Sequence, residues 1–261
     1  MDGVIHIPLW GLAAAAGMVV IAAVISIVLK LRMEKDLLVA TARAFIQLML
    51  VGYILDWIFE LDRWYLVGAW LLMMVGTASY NAMRRQTRRF RGLVPRFALS
   101  ISGSAAIAIA LGVGLVVRPS PFWNPQYLIP IGGMIVGNAM SSGALAINRL
   151  TSEMKTRSGE IEAALSLGAS PHLASLTAVR ASVKAGMLHV ISSTMVVGLV
   201  HLPGMMTGQI IGGVEPGEAV RYQLVIMYIL ITSNALSALT STLLVRGLFF
   251  NEREQLVDPA A

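Results

Sequence analysis

Seven apolar stretches, each about long enough to cross a bilayer, dominate this chain of 261 residues. A helix needs about 20 apolar residues to cross the hydrocarbon core of a membrane. A soluble protein also needs a charged surface, yet only 13% of the residues are charged and the mean hydropathy is +0.73. The sequence therefore predicts an all-α, polytopic protein of the plasma or inner membrane, with one transmembrane domain over 1–261. The predicted spans are about 8–29, 37–59, 64–83, 97–117, 127–148, 184–202 and 220–246.

The basic residues predict the orientation of these spans. Sixteen Lys and Arg residues fall in the segments after the first, third, fifth and seventh stretches, whereas only Arg63, Arg118 and Arg221 fall on the opposite side. Cytoplasmic loops carry the excess of positive charge. The N-terminus is therefore predicted outside and the C-terminus in the cytoplasm. The net charge of +6 comes from basic residues that lie mainly in the loops on one side. Nucleic acid is therefore the least favoured partner, and the lipid bilayer is the most favoured.

Two features that the sequence lacks exclude several kinds of chemistry for this chain. The chain has no cysteine, which excludes disulfides, thiolate metal sites and a cysteine nucleophile. None of its four lysines follows a glycine, so it has no phosphate-binding loop of the G-x-x-x-x-G-K-[ST] type. No cofactor is expected in this chain, and it is not expected to hydrolyse ATP by that route.

The longest cytoplasmic connection, at about 150–183, predicts a helical hairpin. A helix is expected over 160–167, ended by Gly168 in the left-handed conformation. Ser170 is expected to cap a second helix, with Pro171 at its first position. That helix is expected to carry one apolar stripe, with Arg180 and Lys184 off it. The stripe is formed by Leu173, Leu176, Val179, Val183 and Met187.

The hairpin resembles the EAA loop of ABC-transporter permeases. Glu162-Ala163-Ala164 is followed, after three further residues, by Gly168. The usual continuation of the motif is not kept, and an ordinary surface hairpin with a glycine cap is the alternative interpretation. In that family the loop is a coupling helix that docks into a cleft of the ATPase subunit. The resemblance implies an ATPase-coupling role for Glu160, Glu162, Ala163, Ala164 and Gly168.

Further motifs extend the resemblance to most of the chain, most densely over 127–250. They are Tyr127–Pro130, Gly137–Met140, Asn148–Leu150, Gly198–Val200, Leu202–Gln209 and Arg221–Gln223. Together they are similar to the FetB-like iron-export permease family of ABC transporters, which includes plant aluminium-tolerance proteins. The resemblance implies a homodimeric permease that exports a metal ion. It also implies that ATP and Mg²⁺ are held by a separate ATPase subunit.

Polar residues inside the spans are candidates for a transport pathway, because such groups usually face the bundle interior or a cavity. Arg43 and Gln47 are four residues apart and share a helix face. Asn138 and Asn148 are candidates in the fifth span. The alternative is that these groups form hydrogen bonds between helices.

A metal site is indicated only by one outer loop. His201 lies close in sequence to Met205 and Met206, and Glu215 follows. Imidazole, thioether and carboxylate groups can ligate a transition ion, although thioethers favour soft copper(I) over iron. The alternative is that these methionines fill packing gaps, as most methionines do.

Three other functional classes remain open. An ion-gradient-driven secondary transporter would need paired acids in its spans, and Asp56 is the only acid well inside one. An intramembrane enzyme would need a nucleophile beside a base, and His189 is the only histidine within a span. The third class is a non-transporting membrane scaffold.

Overall fold

The structure, a computed structural model, describes residues 8–84, 86 and 92–258. These residues fold into helices joined by short turns, with isolated β-bridges in two places. They divide into two compact units: residues up to Asp62 with Ile211–Gly213, and Arg63–Ile210 with Val214 onwards. The single domain over 1–261 stays a prediction. Four of the arginines that orient the predicted spans lie outside the described residues, namely Arg85, Arg88, Arg89 and Arg91.

The first unit contains two long helices, α1 (Leu9–Val28) and α2 (Glu34–Leu61). The turn between them is closed by Ser26, which is buried. Its hydroxyl donates to Oε2 of Glu34 (3.1 Å) and accepts from the backbone N–H of Met33 (2.9 Å). Arg43 and Gln47 lie on α2, and both are exposed within their unit.

The second unit is built around one helix. Its elements are α3 (Trp64–Arg84), α4 (Leu93–Ile109) with a π-helical continuation (Ala110–Val117), α5 (Pro125–Thr156), α6 (Ser158–Ser166), α7 (Pro171–Ala174), α8 (Leu176–Val196), α9 (Gly204–Ile211) and α10 (Pro216–Arg246). Helix α5 packs against α3, α4, α8 and α10, so it is the central helix of this unit.

Small polar residues line the interior between these helices. The Ser142 hydroxyl lies 2.8 Å from the carbonyl oxygen of Gly186 on α8 and 3.1 Å from that of Asn234 on α10. The Ser237 hydroxyl donates to the carbonyl of Ala139 (2.7 Å). In lipid, helices associate through close packing and interhelical hydrogen bonds, because apolar side chains gain little by leaving the bilayer. The interior of this unit follows that rule.

Six described helices are long and apolar enough to cross a membrane: α1, α2, α3, α4 with its continuation, α5, and α10 with its 3-10 extension. They coincide with six of the seven predicted spans. The remaining predicted span, 184–202, overlaps α8, which is outside this set and carries Arg180 and Lys184 in its first half. The count of seven and the orientation of the termini therefore stay predictions.

The position of α8 favours the seventh crossing. The Arg246 guanidinium, at the end of α10, donates to Nδ1 of His172 (2.5 Å), so the chain just before α8 lies at the C-terminal end of α10. Helix α10 begins at Pro216, at its other end. Since α8 packs against both α5 and α10, the chain from His172 to Pro216 runs the length of α10.

The predicted apolar stripe of the second hairpin helix is confirmed in part. The structure divides this helix at Ser175, and Leu173 is 62% exposed. Within α8, Val179 of the stripe is buried and Leu176, Val183 and Met187 are half-buried. The other buried residues of α8 are Ala178, Ser182, Gly186 and Val190. In a bilayer, small residues face the neighbouring helices and larger ones can face the lipid.

Candidate functional site

The hairpin formed by α6 and α7 has the turn chemistry that the sequence predicts. Helix α6 ends in a Schellman motif, in which the N–H of Ala169 donates to the carbonyl of Ala164 (3.0 Å) and the N–H of Gly168 to that of Leu165 (2.9 Å). Gly168 has a φ of +88°, so the predicted left-handed conformation is confirmed. Ser170 then accepts from the backbone N–H of Leu173, which confirms the predicted cap of α7.

The hairpin is anchored by one side chain and exposes most of the others. Ile161 is only 2% exposed and holds α6 against the rest of the unit. Glu162 and Ala163 are exposed, Ala164 is half-buried, and the Leu167 side chain at the turn is 89% exposed. Leu167 therefore projects from the end of a short helix as an exposed apolar side chain, beside a glycine with open space around it.

The C-terminal tail forms a second wall beside α6. Residues Phe249–Val257, here called the tail hairpin, fold back on themselves: the N–H of Val257 donates to the carbonyl of Phe249 (2.8 Å), and the Asn251 side chain accepts from the N–H of Gln255 (2.9 Å). Between the tail hairpin and α6 lies a groove of about 660 Å³. Glu162 and Ser166 line one wall, and 253–257 line the other. No sequence motif predicted this groove.

A charged network joins α5 to α6. Glu153, near the end of α5, accepts from Nη2 of Arg149 (2.5 Å) and from Nε of Arg157 (2.6 Å). Arg157 also donates to Oε2 of Glu160 on α6 (3.0 Å). Hydrogen bonds to Glu153 and then to Glu160 raise the pKa of Arg157 further above its ordinary value. The stabilisation from these hydrogen bonds is lost only when the pH rises above the raised pKa of Arg157. The Arg157 guanidinium therefore stays charged throughout the physiological pH range.

The four predicted pathway residues occupy different environments. Arg43 and Gln47 share an exposed face of α2. Asn138 is half-buried and donates to the carbonyl of Met134 on its own helix (2.9 Å), while Asn148 is exposed. The interior of the second unit is lined instead by serines of α4, α5 and α10. Their four-residue spacing on α10, at Ser233, Ser237 and Ser241, was a readable signal of a buried polar face.

The predicted metal residues flank α9. His201 is exposed in the turn before it, where its carbonyl accepts from the N–H of Gly198 (3.0 Å). Met205 and Met206 are half-buried on α9, and Glu215 precedes the first residue of α10. Within the described part of the chain, no three His, Asp or Glu side chains are grouped closely enough to hold a metal. A ligand role for this loop stays a prediction.

Comparison with known proteins identifies the family to which this chain belongs. A model of the Uncharacterised protein family (UPF0014) matches residues 9–250. The chain belongs to the UPF0014 membrane protein family. It is 38% identical to the UPF0014 membrane protein slr1647 of Synechocystis, over 87% of this chain and 88% of that protein. No solved structure matches it.

Two further relatives carry more informative names. The chain is 37% identical to the probable iron export permease protein FetB of Escherichia coli, over 94% of this chain and 93% of FetB. It is 34% identical to the protein ALUMINUM SENSITIVE 3 of Arabidopsis thaliana, over 94% of this chain and 88% of that protein. The chain is thus a multi-pass protein of a membrane permease family, and its bacterial relatives imply the plasma membrane as its location.

Proposed function

We propose that this UPF0014 protein is the permease subunit of an ABC transporter that exports a metal ion, with iron as the first candidate. The observation that carries the proposal is the exposed hairpin at α6, in which Glu162-Ala163-Ala164 precedes a glycine turn with Leu167 projecting from it. A relative with the printed name of a probable iron export permease supports the substrate.

The proposed cycle divides the work between two kinds of subunit. Because this chain lacks a phosphate-binding loop of the G-x-x-x-x-G-K-[ST] type, a separate ATPase binds ATP and Mg²⁺ and hydrolyses the ATP. Closure of the ATPases pushes on α6, and the push reaches the transmembrane helices through α5. The permease works as a homodimer in this proposal, so each copy presents one hairpin to one ATPase.

The docking face has two parts in this proposal. Leu167 and the exposed side of α6 enter a cleft of the ATPase, while the groove beside the tail hairpin receives a polar segment of the same partner. Glu162, Arg253 and Glu254 line this groove. Charged walls of both signs favour a water-exposed protein surface over a lipid chain as the occupant.

The ABC assignment is tested by isolating the complex. Detergent-extracted protein is expected to retain an ATPase subunit, and the reconstituted pair is expected to move Fe²⁺ across vesicles only when ATP is present. Fe²⁺ is also expected to stimulate ATP hydrolysis by the pair. Transport that persists without ATP, or protein that never retains an ATPase, would overturn the proposal in favour of a gradient-driven carrier or a scaffold.

Cysteine labelling tests the docking face and the orientation together. The parent chain has no cysteine, so each introduced thiol is the only one. Leu167→Cys is expected to react with a membrane-impermeant maleimide in inside-out vesicles and to be protected by the ATPase. Ile161→Cys, at a site that is 2% exposed, is expected to stay unlabelled from both sides.

The matched outer variant is Val214→Cys, at an exposed site between α9 and α10. It is expected to react in right-side-out cells and not in inside-out vesicles. Labelling of Leu167→Cys from the outside would reverse the predicted orientation. Equal labelling of Leu167→Cys with and without the ATPase would remove this turn from the docking face.

A further inference from the structure

The junction between α5 and α6 is a single residue, and its side chain bridges the two helices. Arg157 follows the last residue of α5 and precedes the first residue of α6. Backbone hydrogen bonds continue through it, from the N–H of Arg157 to Glu153 (2.9 Å) and from the N–H of Ile161 to Arg157 (3.0 Å). Its φ and ψ of −102° and 18° depart from helical values, so the chain bends here.

The network across this bend differs from an ordinary surface ion pair. Exposed pairs contribute little, because water screens them and long side chains lose entropy. The Glu153 side chain is only 9% exposed and contacts two guanidinium groups at once. Loss of Arg157 would leave this largely buried carboxylate with only one of these two guanidinium groups, so the contact between Glu153 and Arg157 resists separation.

The network leads directly to the centre of the second unit. Glu153 belongs to α5, which packs against α3, α4, α8 and α10. Glu160 belongs to α6, in the exposed hairpin. A displacement of α6 therefore reaches four other helices if the bend at Arg157 holds its angle, and is absorbed at the bend if it does not.

We propose that Glu153, Arg157 and Glu160 form a coupling clamp that fixes the angle between α5 and α6, so that the two helices move as one body in the transport cycle. The inference rests on the proposed function, because it assigns positioning roles to residues behind the docking face. None of the three acts on substrate or ATP. The clamp determines how much of the displacement that the ATPase imposes on α6 is transmitted to the transmembrane helices.

The test measures Fe²⁺ transported per ATP hydrolysed by the permease–ATPase complex in proteoliposomes. Arg157→Gln is expected to lower this ratio about tenfold, since it removes two charge-assisted hydrogen bonds at the bend. ATPase binding and the rate of hydrolysis are expected to stay near those of the parent. Arg157→Lys, which keeps the charge but cannot form the same fork, is expected to restore part of the ratio.

Two further variants keep the test decisive if Arg157→Gln folds poorly. Glu160→Gln changes a side chain that is 71% exposed, so it should fold normally and lower the ratio by a smaller factor. Glu218→Gln breaks a pair of similar spacing on α10, between Glu218 and Arg221 (2.8 Å), and both of its side chains are well exposed. It is expected to leave the ratio unchanged.

The effects of the Glu153 and Glu160 substitutions on the transport ratio must also depend on Arg157. Glu153→Gln and Glu160→Gln are expected to be non-additive in the parent, and Glu160→Gln is expected to have no further effect when Arg157 is already Gln. An unchanged ratio in Arg157→Gln and Glu160→Gln overturns the clamp while leaving the ABC assignment intact. An equal fall in hydrolysis and transport also overturns it, because that pattern indicates lost docking. A parent complex without ATP-driven transport overturns the proposed function itself.

Discussion

Replacing Gly168 with valine is expected to abolish most ATP-driven transport while leaving folded protein in the membrane. Gly168 has a φ of +88°, and a β-carbon placed there would meet no heavy atom within 4 Å. The substitution is therefore strained without being crowded. Left-handed backbone costs a residue with a side chain roughly 1–2 kcal/mol, and a branched side chain is among the least tolerant. The turn can relieve this strain only by changing the direction in which Leu167 points.

A change of about 1.4 kcal/mol alters an equilibrium tenfold, so we expect at least about a tenfold loss of transport in Gly168→Val. Gly168→Asn is expected to keep most of the activity, because asparagine tolerates the left-handed region. Gly213→Val is the strain-matched control: its φ is +90° and its surroundings are equally open, but it lies outside the hairpin. Full transport by Gly168→Val, or an equal loss in Gly213→Val, would contradict a role of this turn in coupling.

Local chemistry explains why the hairpin was predictable from sequence. The end of α6 depends on Gly168, and the start of α7 depends on Ser170 and Pro171, all within a few residues of one another. Such signals need no knowledge of the rest of the fold. The apolar spans were predictable for a similar reason, since the bilayer fixes the length of a helix that crosses it.

The buried face of α8 was predictable only in part from apolar periodicity. Val179 of the predicted stripe is buried, but small residues that periodicity does not mark, such as Ser182 and Gly186, are buried beside it. Close packing between membrane helices favours small residues at the contact, so the size of apolar side chains alone does not mark the inward face. The same reason applies to the buried serines of α4, α5 and α10.

The ion-pair network at Glu153 is visible in the sequence as a regular spacing of charged residues, but that spacing was not interpreted as ion pairs. Arg149, Glu153 and Arg157 are four residues apart, the spacing of ion pairs on one helix face. The arginines were interpreted as topology signals at the end of a span predicted to stop at residue 148. Because α5 continues to Thr156, they lie on the same helix as the carboxylate that they contact.

Gly186 lies where α8 packs closely against α5 and α10 and leaves no room for a side chain. A β-carbon there would lie 2.7 Å from the carbonyl oxygen of Ser142 and 3.0 Å from the β-carbon of Ala238. The first of these atoms is backbone and cannot rotate away. Gly186→Ala is therefore expected to destabilise the protein by about 1–3 kcal/mol, the usual effect of overpacking. Gly186→Leu is expected to prevent recovery of folded, monodisperse protein.

Gly103→Ala on α4 is the matched control for this prediction, because a β-carbon there would meet nothing within 4 Å. In an open helical position alanine is favoured over glycine by up to about 1 kcal/mol, so this variant should unfold at the same temperature as the parent or slightly higher. The measurement is thermal unfolding in detergent, followed by the fraction that remains monodisperse. Equal midpoints for Gly186→Ala and Gly103→Ala would mean that α8 is free to move away from Ser142. The hydrogen bond between Ser142 and Gly186 (2.8 Å) would then not hold these helices together.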